Sequence, residues 1–203
     1  MSARKFLLVD PAKPEGPTSD NTRERIEDAL IELMADGDKL NHDRVAERAR
    51  VSRRTVYRYF PDQAALRAAM WKRLSLSGEF PPDLPSLLEH LHKTFPNFDK
   101  KAAAVTVAMS SPEGRAVRNL MKPERVAAFR RIFADATTEL PEPDRTWAIA
   151  TMQLLATGFV WREMRDQWDM TGEQMGVATR WAIETLLADL RRRGEKPLSE
   201  GPA

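Results

Sequence analysis

The fold is decided by residues 41–60, which read NHDRVAERARVSRRTVYRYF. Their pattern predicts two short helices joined by a tight turn. The side-chain oxygens of Asn41 and Ser52 can each accept an unpaired amide proton in the first turn of the helix that follows. Pro61 cannot continue a helix, so the second helix ends at Phe60. The stretch therefore predicts a helix-turn-helix unit.

The second helix of this unit has one apolar face and one polar face. Val56 and Phe60 are four residues apart and point inward together, which leaves the arginines facing outward. Arginine suits guanine edges and phosphates, and hydroxyl groups suit phosphate oxygens. We expect this helix to lie in the major groove of DNA, with Arg53 and Arg54 reading base edges and Arg44 near the rim of the groove. The expected DNA contacts are Arg44, Ser52, Arg53, Arg54, Thr55, Tyr57, Arg58 and Tyr59.

Positive charge is concentrated in the same stretch. Residues 39–60 contain seven lysines or arginines and two acidic residues, whereas the whole chain carries a net charge of only +2. A local excess of this kind is the electrostatic signature of a duplex-binding surface. A solvated arginine-rich face is the alternative, but the caps, the turn, the apolar anchors and the charge agree with DNA binding.

Residues 22–71 resemble the DNA-binding domain of TetR-type transcriptional regulators. The resemblance is carried by TRERI at 22–26, Gly37, VAERA at 45–49, VSRRTVYRYF at 51–60 and DQAAL at 62–66. It implies an all-α fold, with an N-terminal three-helix helix-turn-helix DNA-binding domain and a C-terminal helical domain for ligand binding and dimerisation. The implied partners are double-stranded DNA, a second copy of the chain and a small-molecule inducer.

Two positions depart from the family pattern. The family usually has Gly in the turn where this chain has Arg50, and a non-Gly residue in a left-handed conformation there costs roughly 1 kcal/mol. The family usually has Lys, which resembles a phosphate contact, where this chain has Gln63. Glutamine can donate a hydrogen bond but brings no charge, so Gln63 joins the expected DNA contacts as a neutral donor.

Composition limits the class of function. The chain has 203 residues, no cysteine and three histidines. No disulfide, cysteine nucleophile or Gly-rich phosphate loop is available, so we expect no catalytic residue, no cofactor and no enzyme activity. His90 and His92 are two residues apart and point away from each other on a helix, so no metal site is expected. No apolar run of about 18 residues is present, so we expect no membrane span and a cytoplasmic location.

Prolines and glycines, which interrupt helices, divide the chain into segments. Residues 1–20 are predicted to form a flexible arm, and the cluster at 78–85 marks a domain boundary. We expect the DNA-binding domain at 21–77, the helical ligand-binding and dimerisation domain at 78–193, and a loose polar tail at 194–203.

The last two predicted helices, at 143–168 and 172–193, are apolar on more than one face. An apolar stripe roughly 100° wide is enough to pack a helix against the rest of its own domain. The additional apolar faces therefore require a second partner. A twofold dimer explains them and suits a palindromic operator. A monomeric core rich in hydrophobic residues is the alternative. The expected interface residues are Trp161, Trp168, Trp181, Ile183, Leu186 and Leu190.

The resemblance implies an inducer pocket among the middle helices. Methionine and aromatic side chains suit an adaptable apolar pocket, although at helical spacing they also form ordinary core. Such a pocket would favour an apolar or aromatic molecule over a sugar or a phosphate. The candidate lining residues are Leu91, Phe95, Met109, Met121, Phe129, Phe133, Met152 and Phe159.

Together these features predict a sequence-specific DNA-binding regulator, in the form of a repressor released by a ligand. A nonspecific or architectural DNA-binding protein and a transcriptional activator are the alternatives. An enzyme built of helices would need a catalytic cluster that the sequence does not offer.

Overall fold

The computed structural model describes residues 19–74 and 79–201. Within these residues every regular element is helical, as the sequence predicts. The α-helices are α1 Ser19–Ala35, α2 His42–Ala49, α3 Arg53–Tyr59, α4 Gln63–Leu74, α5 Leu84–Lys100, α6 Ala102–Ser110, α7 Pro112–Leu120, α8 Lys122–Ile132, α9 Asp144–Leu155, α10 Gly158–Trp168 and α11 Gly172–Arg193. A short 3-10 turn at Asp135–Thr137 follows α8.

The expected N-terminal arm falls largely outside the described residues. The first helix begins at Ser19, so residues 19–20 belong to α1 and not to the arm. Residues 1–18 of the arm are not among those described.

The N-terminal unit is built on a small apolar core shared by the first four helices. Ile26 and Leu30 of α1, Val45 of α2, Val56 of α3 and Leu66 of α4 are fully buried in it. Ile26 and Leu30 are four residues apart and so lie on one face of α1. The burial of these core residues fixes α3 against α1 and α2 and leaves the opposite side of α3 in solvent.

The C-terminal part is organised around α5 and α11, which lie against each other. Gly172, at the start of α11, approaches the backbone of α5 so closely that a Cβ atom would lie 2.5 Å from the Phe95 carbonyl carbon and from the Pro96 nitrogen. Asp99 of α5 accepts a 2.7 Å hydrogen bond from the Gly172 amide and a 2.8 Å bond from the Trp161 indole of α10. One carboxylate thus joins three helices.

The helix predicted at 143–168 is two helices, so that prediction is wrong in its continuity. The break falls at Ala156 and Thr157, where Thr157 has extended backbone angles (φ −113°, ψ 161°). After the break, Gly158 lies against α6, and a Cβ atom there would be 3.2 Å from the side chains of Val105 and Met109. Packing against α6 is a tertiary effect that apolar periodicity alone does not reveal.

The expected loose tail is held against the body of the protein, which corrects that prediction for residues 194–201. Arg193 is buried, pairs with Asp189 at 2.8 Å, and donates to the carbonyls of Pro197 and Glu200. The Leu198 amide donates to the Asp144 carboxylate at 3.1 Å. These bonds fold the tail back onto the start of α9.

None of the helices within residues 19–74 and 79–201 combines the length and the apolar character needed to span a membrane.

Candidate functional site

Side-chain caps fix both helices of the helix-turn-helix unit, as the sequence predicts. The Asn41 carbonyl oxygen accepts from the Arg44 amide at 3.0 Å, and the Ser52 hydroxyl oxygen accepts from the Thr55 amide at 3.1 Å. Arg50 in the turn has φ 53° and ψ 47°, the left-handed conformation that favours glycine. The departure at Arg50 therefore places a side chain in a strained backbone position.

The exposed face of α3 carries the residues expected to contact DNA. Arg53, Arg54, Tyr57 and Arg58 are exposed, whereas Val56 on the opposite side is fully buried. Three guanidinium groups and a phenol on one short helix provide donors for base edges and phosphate oxygens. This arrangement is chemically suited to the major groove.

Contacts within the protein hold the Arg53 side chain in place. Its Nη2 donates to the Tyr57 hydroxyl at 3.3 Å, and its Nε lies 3.2 Å from an Asp43 carboxylate oxygen. The hydrogen bond to Tyr57 raises the pKa of Arg53, and the charge of Asp43 raises it further. Because these contacts restrict the side-chain rotamers, Arg53 is the most pre-organised arginine of this face.

The basic residues of α2 are neutralised by neighbouring acids. Arg44 lies 3.0 Å from an Asp38 oxygen and 2.9 Å from a Glu47 oxygen. Arg48 lies 2.7 Å from an Asp36 oxygen, and this hydrogen bond raises the pKa of Arg48. Arg53 of α3 also has an acidic neighbour, Asp43, so the charge excess counted along the sequence is partly compensated on both helices.

Three of the expected DNA contacts also have roles inside the protein. The Ser52 and Thr55 hydroxyls lie 2.8 Å apart at the start of α3. The Gln63 amide donates to the Leu40 carbonyl, which ties α4 to the segment before α2. DNA contact by these residues, and by Tyr59, stays a prediction.

Sequence reasoning missed one buried polar residue behind this face. His42, at the start of α2, is buried, and its Nε2–H donates to the Phe60 carbonyl at 2.7 Å. The bond joins α2 to the end of α3. The residue type was visible in the sequence, but its burial depends on how the two helices cross.

A cavity of about 280 Å³ lies between α4 and the helices α5 to α10. Four of the expected pocket residues line it: Leu91, Met109, Phe129 and Phe159. The other four do not, and the prediction for them is wrong. Phe95, Phe133 and Met152 are buried in the packed core, and Met121 lies at the junction of α7 and α8.

The cavity has polar groups that sequence reasoning missed. Arg118 of α7 and Arg125 of α8 line it, together with His90 and Thr94 of α5. Burial lowers the pKa of both arginines, and repulsion from neighbouring arginines lowers that of Arg118 further. In the sequence these arginines look like ordinary surface residues, so no pattern distinguishes them.

Half of the residues expected at a dimer interface are enclosed in their own chain. Trp161 and Ile183 are fully buried and Leu190 is nearly so, which removes them from any surface and corrects that prediction. Trp168 and Trp181 are 74% and 68% exposed, and Leu186 is half-buried. Val177 of α11, which was not expected there, is 71% exposed beside them in sequence.

Comparison with known proteins agrees with this geometry. Residues 28–70 match the family model of bacterial regulatory proteins of the tetR family. Among curated proteins, no sequence matches the chain at a significant level.

The fold is similar to that of one solved structure, and a second solved structure matches less well. A tetR-family transcriptional regulator from Streptomyces coelicolor is 20% identical, with 89% of this chain and 94% of that chain covered and a TM-score of 0.56. A TetR transcriptional regulator from Rhodococcus sp. RHA1 is 24% identical, with 83% and 98% covered and a TM-score of 0.49. Residues 28–70 thus resemble the tetR-family model, and the all-helical fold of the whole chain is similar to that of the Streptomyces coelicolor regulator.

Proposed function

We propose that this protein is a transcriptional repressor that binds a palindromic operator as a homodimer and leaves it when a small apolar or aromatic molecule enters the cavity. The observation that carries the DNA-binding part is the exposed face of α3. Arg53, Arg54 and Arg58 project from it, while Arg44 of the neighbouring helix is paired with acids. Base readout therefore rests on one helix.

Exposed aromatic residues on α10 and α11 support a homodimer. Val177 and Trp181 are four residues apart on one face of α11 and are exposed, as is Trp168 at the end of α10. Exposed apolar surface of this kind is typical of an interface. A second copy of the same two helices is the occupant that covers them, because a twofold axis places the same surface on both sides.

Light scattering tests this interface. Trp181→Glu is expected to convert the dimer to a monomer, whereas the matched change Trp147→Glu, at an exposed tryptophan of α9, leaves the dimer intact. A wild-type protein that is monomeric at all concentrations would exclude the homodimer.

Helix α4 supports a link between the cavity and the DNA-binding helices. Its residues Trp71 and Leu74 line the cavity, while Leu66 and Met70 are buried in the apolar core. Arg67 pairs with Glu113 of α7, with Nε–Oε1 2.8 Å and Nη2–Oε2 3.3 Å. A molecule that displaces α7 or Trp71 would move α4. The distance between the two copies of α3 in a dimer would then change.

A titration against DNA tests the function directly. Purified protein is titrated at physiological salt with labelled DNA from beside its own gene, and a scrambled duplex serves as competitor. We expect tight binding that the scrambled duplex does not compete away, and a footprint with twofold symmetry. Equal binding to both duplexes with steep salt dependence would instead identify a nonspecific or architectural DNA binder.

A reporter gene placed behind the bound site then distinguishes the two directions of regulation. Lower expression in the presence of the protein is the outcome expected of a repressor. Higher expression would identify an activator.

A further inference from the structure

The cavity is apolar over most of its wall but has a positively charged end. Arg118 and Arg125 line that end. Neither Arg118 nor Arg125 forms an ion pair with a carboxylate among residues 19–74 and 79–201. Partly buried cations of this kind cost free energy unless an anion neutralises their charge.

Both guanidinium groups are fixed by bonds that leave donors free. Arg118 donates to the Ala108 carbonyl, and its guanidinium carbon lies 4.9 Å from the centre of the Phe159 ring. Arg125 donates from Nη1 to the Arg118 carbonyl at 3.1 Å. Since each guanidinium has five N–H donors, both keep donors for a bound group. Their positions are set by backbone carbonyls, so they are pre-organised.

The remaining polar groups of the wall are mostly satisfied within the protein. The hydroxyl of Thr94 donates to the His90 carbonyl at 2.9 Å, and that of Thr157 donates to the Leu154 carbonyl at 2.7 Å. Glu79, an acidic residue of the described lining, is exposed to solvent, which screens its charge. The end formed by the arginines therefore has a positive local field.

We propose that the cavity binds an amphipathic organic acid, with its carboxylate between Arg118 and Arg125 and its hydrocarbon part against the apolar wall. This inference rests on the proposed function, because it names the ligand class of the proposed regulatory cavity. A carboxylate matches the planar donor pattern of a guanidinium. Leu91, Met109 and Phe129 supply the surface for the hydrocarbon part.

The probes are a graded series of straight-chain fatty acids with their matching alcohols and amines. Binding is followed by calorimetry and by the fluorescence of Trp71, which lines the cavity. The best acid is expected to bind about tenfold or more tightly than the alcohol of the same length, because hydrogen bonds to charged groups are stronger than neutral ones. The amine is expected to bind least, because it repeats the charge of the cavity.

Two variants locate the carboxylate. Arg118→Gln and Arg125→Gln are each expected to remove most of the preference for the acid over the alcohol. Arg115→Gln, an exposed arginine on α7 outside the lining, has the same charge change and is expected to keep most of it. Arg118→Lys keeps the positive charge and is the conservative comparison for Arg118→Gln. Thermal unfolding of every variant identifies any variant that fails to fold.

The outcomes separate this inference from the proposed function. Alcohols or amines that bind as tightly as the acids and still release the operator would overturn the ligand class and leave the regulator intact. Acids that bind with the expected preference but leave operator affinity unchanged would uphold the ligand class and overturn ligand-controlled repression. Absence of binding by the whole series would overturn the inference.

Discussion

The imidazole ring of His42 lies flat against the phenol ring of Tyr57, with the ring centres 3.9 Å apart and the planes inclined by 6°. His42 begins α2, and Tyr57 is on the exposed face of α3. Tyr57 in turn accepts the hydrogen bond from Arg53. The orientation of Arg53 therefore depends on a buried residue of the preceding helix that faces away from solvent.

Replacing His42 by Ala is expected to lower both stability and operator affinity. The change removes the stacked pair and the hydrogen bond to Phe60, which together are worth about 1–3 kcal/mol in the free energy of unfolding. Urea denaturation measures the stability, and the operator titration measures the affinity. His92→Ala on the exposed side of α5 is the matched control. An H42A protein as stable as wild type would contradict the stacking argument.

Replacing Arg53 by Ala is expected to weaken operator binding by about 1–3 kcal/mol and to relax sequence preference at one base position. The reason is that the Arg53 side chain is exposed on α3 and restricted by Tyr57 and Asp43, so we expect it to reach a base edge. Arg44→Ala is expected to have a smaller effect, because two carboxylates hold Arg44 whereas one lies beside Arg53. Titrations against an operator with single base changes make the comparison. If Arg44→Ala costs more than Arg53→Ala, the assignment of base readout to α3 is wrong.

Replacing Arg50 by Gly is expected to stabilise the fold by up to about 1 kcal/mol. Glycine removes a left-handed strain of roughly 1–2 kcal/mol but makes the unfolded chain more flexible, which offsets about 0.5–1 kcal/mol. Arg54→Gly removes the same charge within α3 and is expected to destabilise by about 1 kcal/mol. Chemical denaturation of both variants measures whether their free energies of unfolding change in opposite directions.

Replacing Gly172 by Ala is expected to destabilise the C-terminal part by about 1–3 kcal/mol, because the new methyl group overlaps the α5 backbone and overpacking costs that much. Gly201→Ala is the control, since a Cβ atom there meets no atom within 4 Å. Thermal unfolding of the two variants is compared. Equal melting temperatures would mean that α11 can shift away from α5 without cost.

Replacing Arg67 by Ala is expected to weaken the effect of a cavity ligand on DNA binding more than it weakens DNA binding itself. The pair with Glu113 joins α4 to α7, and its loss is expected to remove about 0.5–2 kcal/mol of coupling. The tightest-binding fatty acid of the series is the ligand for this measurement. The reversed pair, Arg67→Glu with Glu113→Arg, is expected to restore part of the coupling. Unchanged coupling in both variants would place the connection elsewhere.

The helix-turn-helix unit could be read from the sequence because its determinants are local. Caps at Asn41 and Ser52, the stop at Pro61 and the anchors at Val56 and Phe60 act within a few residues. The break before Gly158 could not be read in the same way, because it depends on the approach of α6. The burial of Trp161 also depends on tertiary contacts, since its partner Asp99 is 62 residues away.

The cavity was predictable in its location but not in its chemistry. The resemblance implied a pocket among the middle helices, and apolar residues such as Met109 and Phe129 line the cavity there. Phe133 and Met152 have the same residue types yet fill the core, so type and spacing do not separate pocket from core. The presence of arginines in the cavity wall depends on the orientation of α7 and α8, and tertiary packing sets that orientation.

The carboxylate of Asp99 binds α10 and α11 to α5, and two of these three helices also form one wall of the cavity through Phe98 and Gly158. Helix α7, which also lines the cavity, is joined to α4 by the Arg67–Glu113 ion pair. We expect a molecule larger than the cavity to displace α7 more easily than α5, α10 and α11, which share the bonds to Asp99. In that case the ligand would act on the DNA-binding helices through α7 and α4, and not through the C-terminal helices.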